Sequence, residues 1–130
     1  MEINKAPSKR QIQFALEILA IAQDFFQRES SGASLITVTR AEVSPDMQHG
    51  TIFITAIPEE KEPAALDFAK RMRSELRHTV MKRLPVKTIP FFDVEIDYGE
   101  KNRQHVDELL RKDKLANEKY QESLKKSELN

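Results

Sequence analysis

The chain has no cysteine, only three glycines and only three histidines. Without cysteine there are no disulfides and no thiolate metal sites, which is compatible with a reducing cytoplasm. The glycines, Gly32, Gly50 and Gly99, stand far apart, so there is no glycine-rich phosphate loop. His49, His78 and His105 fall on a turn, a helix and the C-terminal region, none with a partner at metal-ligand or catalytic-triad spacing. Long apolar runs are also missing. The most apolar stretch, Ile12 to Phe26, is interrupted by Gln13, Glu17, Gln23 and Asp24, and is too short and polar to span a bilayer. The first residues, MEINKAPSKRQ, hold no apolar signal-peptide core. These absences lead us to expect a soluble cytoplasmic protein that is not an enzyme, has no metal or other cofactor and no membrane partner.

What is present is a strongly divided charge. The 130 residues sum to zero, yet residues 41–67 carry a net −5 and residues 68–90 a net +6. Between Lys70 and Lys87 lie Lys70, Arg71, Arg73, Arg77, Lys82, Arg83 and Lys87, opposed by Glu75 alone. A concentrated basic segment attracts polyanions even in a neutral molecule. The plainer reading is a solvated helix face. Arginine offers a planar fork that matches phosphate and lysine a mobile point charge, so the segment suits RNA backbone contacts.

The length fits one domain with a tail: an N-terminal extension over 1–8, a domain over 9–113 and a flexible charged tail over 114–130. Ser8-Lys9-Arg10-Gln11 has the spacing of a capping box. Ile12, Ala15, Leu16, Leu19, Ala22 and Phe26 then recur at helical period, which predicts an amphipathic helix over 9–28, ended by Ser30-Ser31-Gly32. Leu35 to Val43 and Gly50 to Ile57 read as an antiparallel pair joined by the turn Ser44-Pro45-Asp46. Pro63 opens a second helix, whose stripe of Leu66, Ala69, Met72, Leu76 and Val80 runs on until Pro85 forbids it. Lys70, Arg73 and Arg77 flank that stripe.

Pro90 opens a third strand, where Phe92, Val94 and Ile96 alternate with Asp93, Glu95 and Asp97. Those carboxylates share one face and suit either a divalent cation or an exposed charged edge; the edge is the expectation, since no further ligand lies nearby in sequence. Phe91 and Phe92 are expected in the core rather than as a stacking platform. Asp97-Tyr98-Gly99 is a turn signal, and Val106, Leu109 and Leu110 suffice for a short docking helix over 101–113. The expected fold is α+β in the order α-β-β-α-β, a three-stranded sheet with helices packed on one face.

Two segments resemble the bacterial ribosome-binding factor A family. Ile36–Thr55 is similar to its Thr-Val-Thr, Glu-Val-Ser, Asp-Leu signature, here Thr37-Val38-Thr39, Glu42-Val43-Ser44 and Asp46-Met47. Met72–Asp97 resembles the family's Ile-Arg before a leucine helix (Met72-Arg73), its basic pair (Lys82-Arg83) and its Phe-x-x-Asp element near Phe91. The likeness runs from about Arg10 to Leu110. It implies a KH-like fold of the type II arrangement without a Gly-x-x-Gly loop, which this chain also lacks. The family's Ala-x-Gly kink in the second helix corresponds to Phe68-Ala69-Lys70, where both the alanine and the glycine are replaced.

The resemblance further implies a monomeric factor that binds the small (30S) ribosomal subunit and 16S rRNA late in maturation. It would support processing of the 16S 5′ end and cold adaptation, acting by binding and not by cleavage. Carried over residue by residue, the contacts are Arg10, Arg40, Arg73, Lys82 and Arg83. Charge alone adds Lys9, Lys70, Arg71, Arg77 and Lys87. The alternative function is a protein-interaction adaptor of the same fold that docks through the edge of the antiparallel pair.

Overall fold

The computed structural model describes residues 6–29 and 35–129. Helix α1 spans Lys9–Glu29. It opens with the expected capping box: the Ser8 N–H donates to Gln11 Oε1 at 2.9 Å and the Gln11 N–H to Ser8 Oγ at 3.2 Å. Two helix-end donors are thereby satisfied reciprocally. The expected stop at Ser30-Ser31-Gly32 lies outside the described residues.

The buried stripe of α1 is Phe14, Ile18, Ile21, Ala22, Phe25 and Phe26, which shares only Ala22 and Phe26 with the expected one. Apolar residues cover more than one face of this helix, so period alone does not choose between them. The face with three phenylalanines buries more area and takes the core. Ile12 and Leu16 are left 47% and 56% exposed.

Strands β1 (Leu35–Val43) and β2 (His49–Ile57) pair antiparallel from Leu35↔Ile57 to Val43↔Gly50, with a bulge at Thr39. At the turn between them the Met47 N–H donates to the Ser44 carbonyl, and Asp46 Oδ1 accepts from the Ser44 hydroxyl and the Gln48 N–H. Strand β3 (Phe91–Ile96) lies on the other side of β2 and runs parallel to it, from His49↔Phe91 to Ile54↔Ile96. A parallel neighbour needs a long crossover, which the helices between β2 and β3 supply.

Ile36 and Val38, Ile52, Ile54 and Ala56, and Phe92, Val94 and Ile96 are buried in one core with the helices. The architecture is thus α+β, with helices on one sheet face, as expected. Gly50 is needed for closeness: a Cβ there would come 3.0 Å from two carbons of the Phe92 ring.

The second helix is not continuous. After a short 3₁₀ turn at Glu59–Lys61 come α2 (Glu62–Arg71) and α3 (Arg73–Arg83), separated at Met72, which has φ −89° and ψ 4°. The Met72 N–H is shared between the carbonyls of Phe68 and Ala69. The Lys70 carbonyl instead accepts a bond from Arg73 Nε at 2.9 Å. The apolar stripe still survives the break: Ala65, Ala69, Leu76 and Val80 are buried, with Leu66 and Met72 packed against them.

The chain divides into two compact units, Met1–Asp97 and Tyr98–Asn130. Asp97 closes the first: its N–H donates to the Ile54 carbonyl and its carboxylate accepts from the Thr39 hydroxyl at 2.6 Å. The second unit is one helix, α4 (Tyr98–Leu129). Tyr98-Gly99 is therefore its first turn and not a loop, and the helix expected over 101–113 runs on through the region read as tail. Val106, Leu109 and Leu110 are exposed. Local pairs along the helix, Glu100 with Arg103 and Gln104, and Glu108 with Lys112, support a solvated helix without core burial.

Candidate nucleic-acid interface

The ten cations expected to contact RNA fall into two classes. Four are tied into the fold. Arg77, half-buried on α3, donates from Nε to the Pro90 carbonyl at 3.2 Å and from Nη2 to the Ile89 carbonyl at 3.1 Å. Its guanidinium lies 4.3 Å from the centre of the Phe91 ring. Phe91 is thus not a core residue as expected; it is 63% exposed and serves as the platform for Arg77. Arg73 holds the Lys70 carbonyl at the helix break and pairs with Asp93 at 3.2 Å.

Arg83 reaches across to α1 and pairs with Asp24 at 2.6 Å. Arg28 pairs with the same carboxylate at 2.7 Å. The Arg83 bond, aided by Arg28, holds the Asp24 carboxyl below the usual carboxylate range. Arg40 lies on the open face of the sheet, 4.0 Å over the Phe53 ring and 2.8 Å from Glu42. Arg40 comes from β1, on the far side of β2 from β3, whose exposed residues Phe91 and Asp93 meet Arg77 and Arg73. The carboxylates of β3 meet partners of their own: Asp93 pairs with Arg73, and Asp97 accepts from Thr39.

The other six, Lys9, Arg10, Lys70, Arg71, Lys82 and Lys87, are exposed and form no ion pair among the described residues. They stand at two ends. Lys70 and Arg71 flank the helix break. Lys82 lies at the other end of α3, about 16 Å from Arg71 by helix rise; Lys87 lies in the loop that follows, and Lys9 and Arg10 open α1. There Arg10 and Lys87 line one open groove of about 830 Å³, formed by the start of α1, the β1–β2 turn and the loop from Pro85 to Thr88. Met47, read from the sequence only as part of the family signature, and Val86, which sequence reasoning did not single out, line it too. No spacing along the chain signals a groove assembled from three such distant segments.

A second, more apolar groove of about 850 Å³ lies between α1 and β1, with Ile12, Leu16, Leu19 and Val43 among its walls. The side-chain amides of Gln11 and Gln23 occupy the Val43 and Val38 carbonyls of this edge strand, at 3.4 Å and 3.2 Å. An incoming strand would compete with both for the edge.

Residues 9–110 match the family model described as "Ribosome-binding factor A". Among curated relatives of that name, the protein of Beutenbergia cavernae is 38% identical over 80 residues, 58% of this chain and 48% of its own. The chain thus spans about half the length of that relative. The protein of Stenotrophomonas maltophilia strain K279a is 31% identical over 98 residues, 71% of this chain and 74% of its own. Among solved structures, the crystal structure of ribosome-binding factor A from Thermus thermophilus aligns with a TM-score of 0.60 at 17% identity, over 66% of this chain and 94% of that one. A Thermus thermophilus homology model fitted into a cryo-EM map of a 30S–RbfA complex aligns with a TM-score of 0.56 at 18% identity, over 62% and 88%. These neighbours share the KH-like fold.

Proposed function

The chain belongs to the ribosome-binding factor A family, and on that premise we propose that it binds the small (30S) ribosomal subunit through 16S rRNA during late maturation. The observation that carries this is the family match over nearly the whole of the first unit, joined to a set of exposed cations at the end of α3, in the loop after it and at the start of α1 that form no ion pair among the described residues. Lys82, Lys87, Lys9 and Arg10 grip phosphates, with Lys70 and Arg71 as a second patch at the helix break. Arg73, Arg77, Arg83 and Arg40 shape the surface and contact RNA less. The protein acts in the cytoplasm as a monomer and by binding alone. Its presence on the subunit supports 5′-end processing of 16S rRNA and growth in the cold. Among the described residues, no helix is long and apolar enough to cross a membrane.

The test is sucrose-gradient fractionation of cell extract. The protein should travel with free small subunits and not with whole ribosomes. A Lys82→Glu, Lys87→Glu double variant should shift it to the top of the gradient while its circular dichroism is unchanged. Unaltered sedimentation of that variant would sink the surface assignment.

The apolar groove beside Ile12 and Leu16 favours a second reading, an adaptor that binds a protein through side chains. It predicts binding that is flat with salt, whereas phosphate contacts weaken steeply as salt rises.

A further inference from the structure

Resting on the RNA-binding reading above, we propose that the groove between the start of α1 and the α3–β3 loop takes single-stranded RNA, with an unstacked base inside it and the flanking phosphates on Arg10 and Lys87. The lining is of two kinds. Phe14, Pro45, Met47, Pro85 and Val86 supply an apolar wall, and Val86 is 43% exposed. Arg10 and Lys87 supply two cations without ion pairs among the described residues. A cradle for phosphate alone has no use for the wall. A cleft for an apolar protein side chain has no use for two unpaired cations.

Two carboxylates share the lining, and hydrogen bonds from neutral donors do not cancel their charge, so the lining is neutral overall and phosphate would be held by Arg10 and Lys87 individually. Asp46 accepts from the Ser44 hydroxyl and the Gln48 N–H, and Glu17 accepts from the Gln13 amide at 3.4 Å.

Duplex RNA does not fit this chemistry. Its bases are stacked inside, and it offers a protein mainly phosphates and 2′-hydroxyls. The apolar wall would then face solvent-exposed ribose and go unused. A single strand presents both surfaces at once, a base face for Met47 and Val86 and phosphates for the cations. The volume, about 830 Å³, lies within the range of sites that enclose small organic groups.

A second observation bears on the same wall. Met47 has φ 59°, in the left-handed region that side chains other than glycine, asparagine and aspartate rarely adopt. The turn holds it there through its N–H bond to the Ser44 carbonyl at 2.8 Å and the Ser44 N–H bond to the His49 carbonyl at 2.8 Å. Local strain of this kind persists where surrounding bonds over-determine it, and it concentrates at binding surfaces.

The experiment is fluorescence anisotropy of the full chain with a labelled mixed-sequence RNA of about ten nucleotides, compared with the same strand annealed to its complement. The single strand should bind about tenfold more tightly than the duplex, and Val86→Glu should remove that advantage while leaving duplex binding in place. Arg10→Gln should weaken the single strand and reduce its salt dependence. Both positions are exposed, so thermal unfolding of each variant should match the parent. Equal affinity for the two RNAs, or a Val86→Glu variant that keeps the preference, overturns the groove assignment while the rRNA-binding reading stands. Failure to bind either RNA overturns both.

Discussion

The arginines of α3 and the lysines at its far end carry the same charge, but the fold uses them differently. Arg73, Arg77 and Arg83 each donate to a named oxygen: a broken-helix carbonyl, two loop carbonyls and a carboxylate of α1. Lys82 and Lys87 donate to nothing among the described residues. Guanidinium is planar, holds five donors in a fixed fork and stacks on rings, which makes it the better internal fastener. Ammonium is compact and strongly hydrated, which favours leaving it in solvent. Net charge along the sequence therefore overstates the unpaired positive surface by counting fasteners with free side chains.

The largest effect that would break this division is at Arg77. Arg77→Ala removes two charge-assisted bonds, leaves the Ile89 and Pro90 carbonyls without those donors, and uncovers Phe91. It should cost about 2–3 kcal/mol, read as a lower urea midpoint. RNA affinity of the folded fraction should stay within about twofold, a change of under 0.5 kcal/mol. A stable Arg77→Ala protein that loses RNA would place Arg77 in the other class.

Next comes the mirror experiment. Lys82→Gln with Lys87→Gln should leave the urea midpoint unchanged and weaken rRNA binding by about tenfold, or 1.4 kcal/mol. The slope of log affinity against log salt should flatten by about 1.5, since each lost phosphate contact removes about 0.7–0.9 of a unit. Arg73→Ala should fall between the two in kind and below them in size. The Lys70 carbonyl that it uncovers is open to water, so the cost should be about 0.5–1 kcal/mol of stability, with little change in RNA binding.

The legible parts of the fold are those where one local rule acts alone. Ser8 and Gln11 make a capping box because hydroxyl and amide stand three residues apart in a helix start. Phe92, Val94 and Ile96 fall on the buried face because a strand alternates. Reading fails where two rules compete or where distant segments meet. α1 has two apolar stripes, and only the packing of Phe14 and Phe25 decides which one enters the core. The parallel seat of β3 beside β2 leaves no mark in either strand.

The break at Met72 has neither glycine nor proline to announce it. Two hints remain: the family's kink position at Phe68-Ala69-Lys70 lies just before it, and an arginine directly after it can bond back to Lys70. In α4 the local ion pairs, not apolar burial, accompany the helix, and a search for a core stripe does not count them. At the candidate site the cations were legible as types, but their division into fasteners and free contacts needed the positions of Asp24, Asp93 and the Ile89 and Pro90 carbonyls.

The smallest effect sharpens the division at its least secure member, Arg83, whose neighbour Lys82 belongs to the free class. Asp24 accepts from Arg83 and Arg28, and both favour its ionised form, so its carboxyl titrates below the usual carboxylate range. A depressed carboxylate contributes stability above its unfolded pKa, and that contribution is lost as pH falls through the lower folded value. The window is therefore acidic, below about pH 4; at neutral pH the contribution is fully present and does not vary with pH. NMR titration of the Asp24 carboxyl should give a midpoint under the usual range in the parent, and Arg83→Gln should raise it further than Arg28→Gln does, because the Arg83 bond is the larger cause. Adding small subunits at neutral pH then asks which partner Arg83 prefers. If the complex takes Arg83 from Asp24, an Asp24→Asn variant, which loosens Arg83 beforehand, should bind RNA slightly more tightly than the parent. If the variant binds identically, the Arg83–Asp24 pair is the same in the free and bound protein and Arg83 stays a fastener.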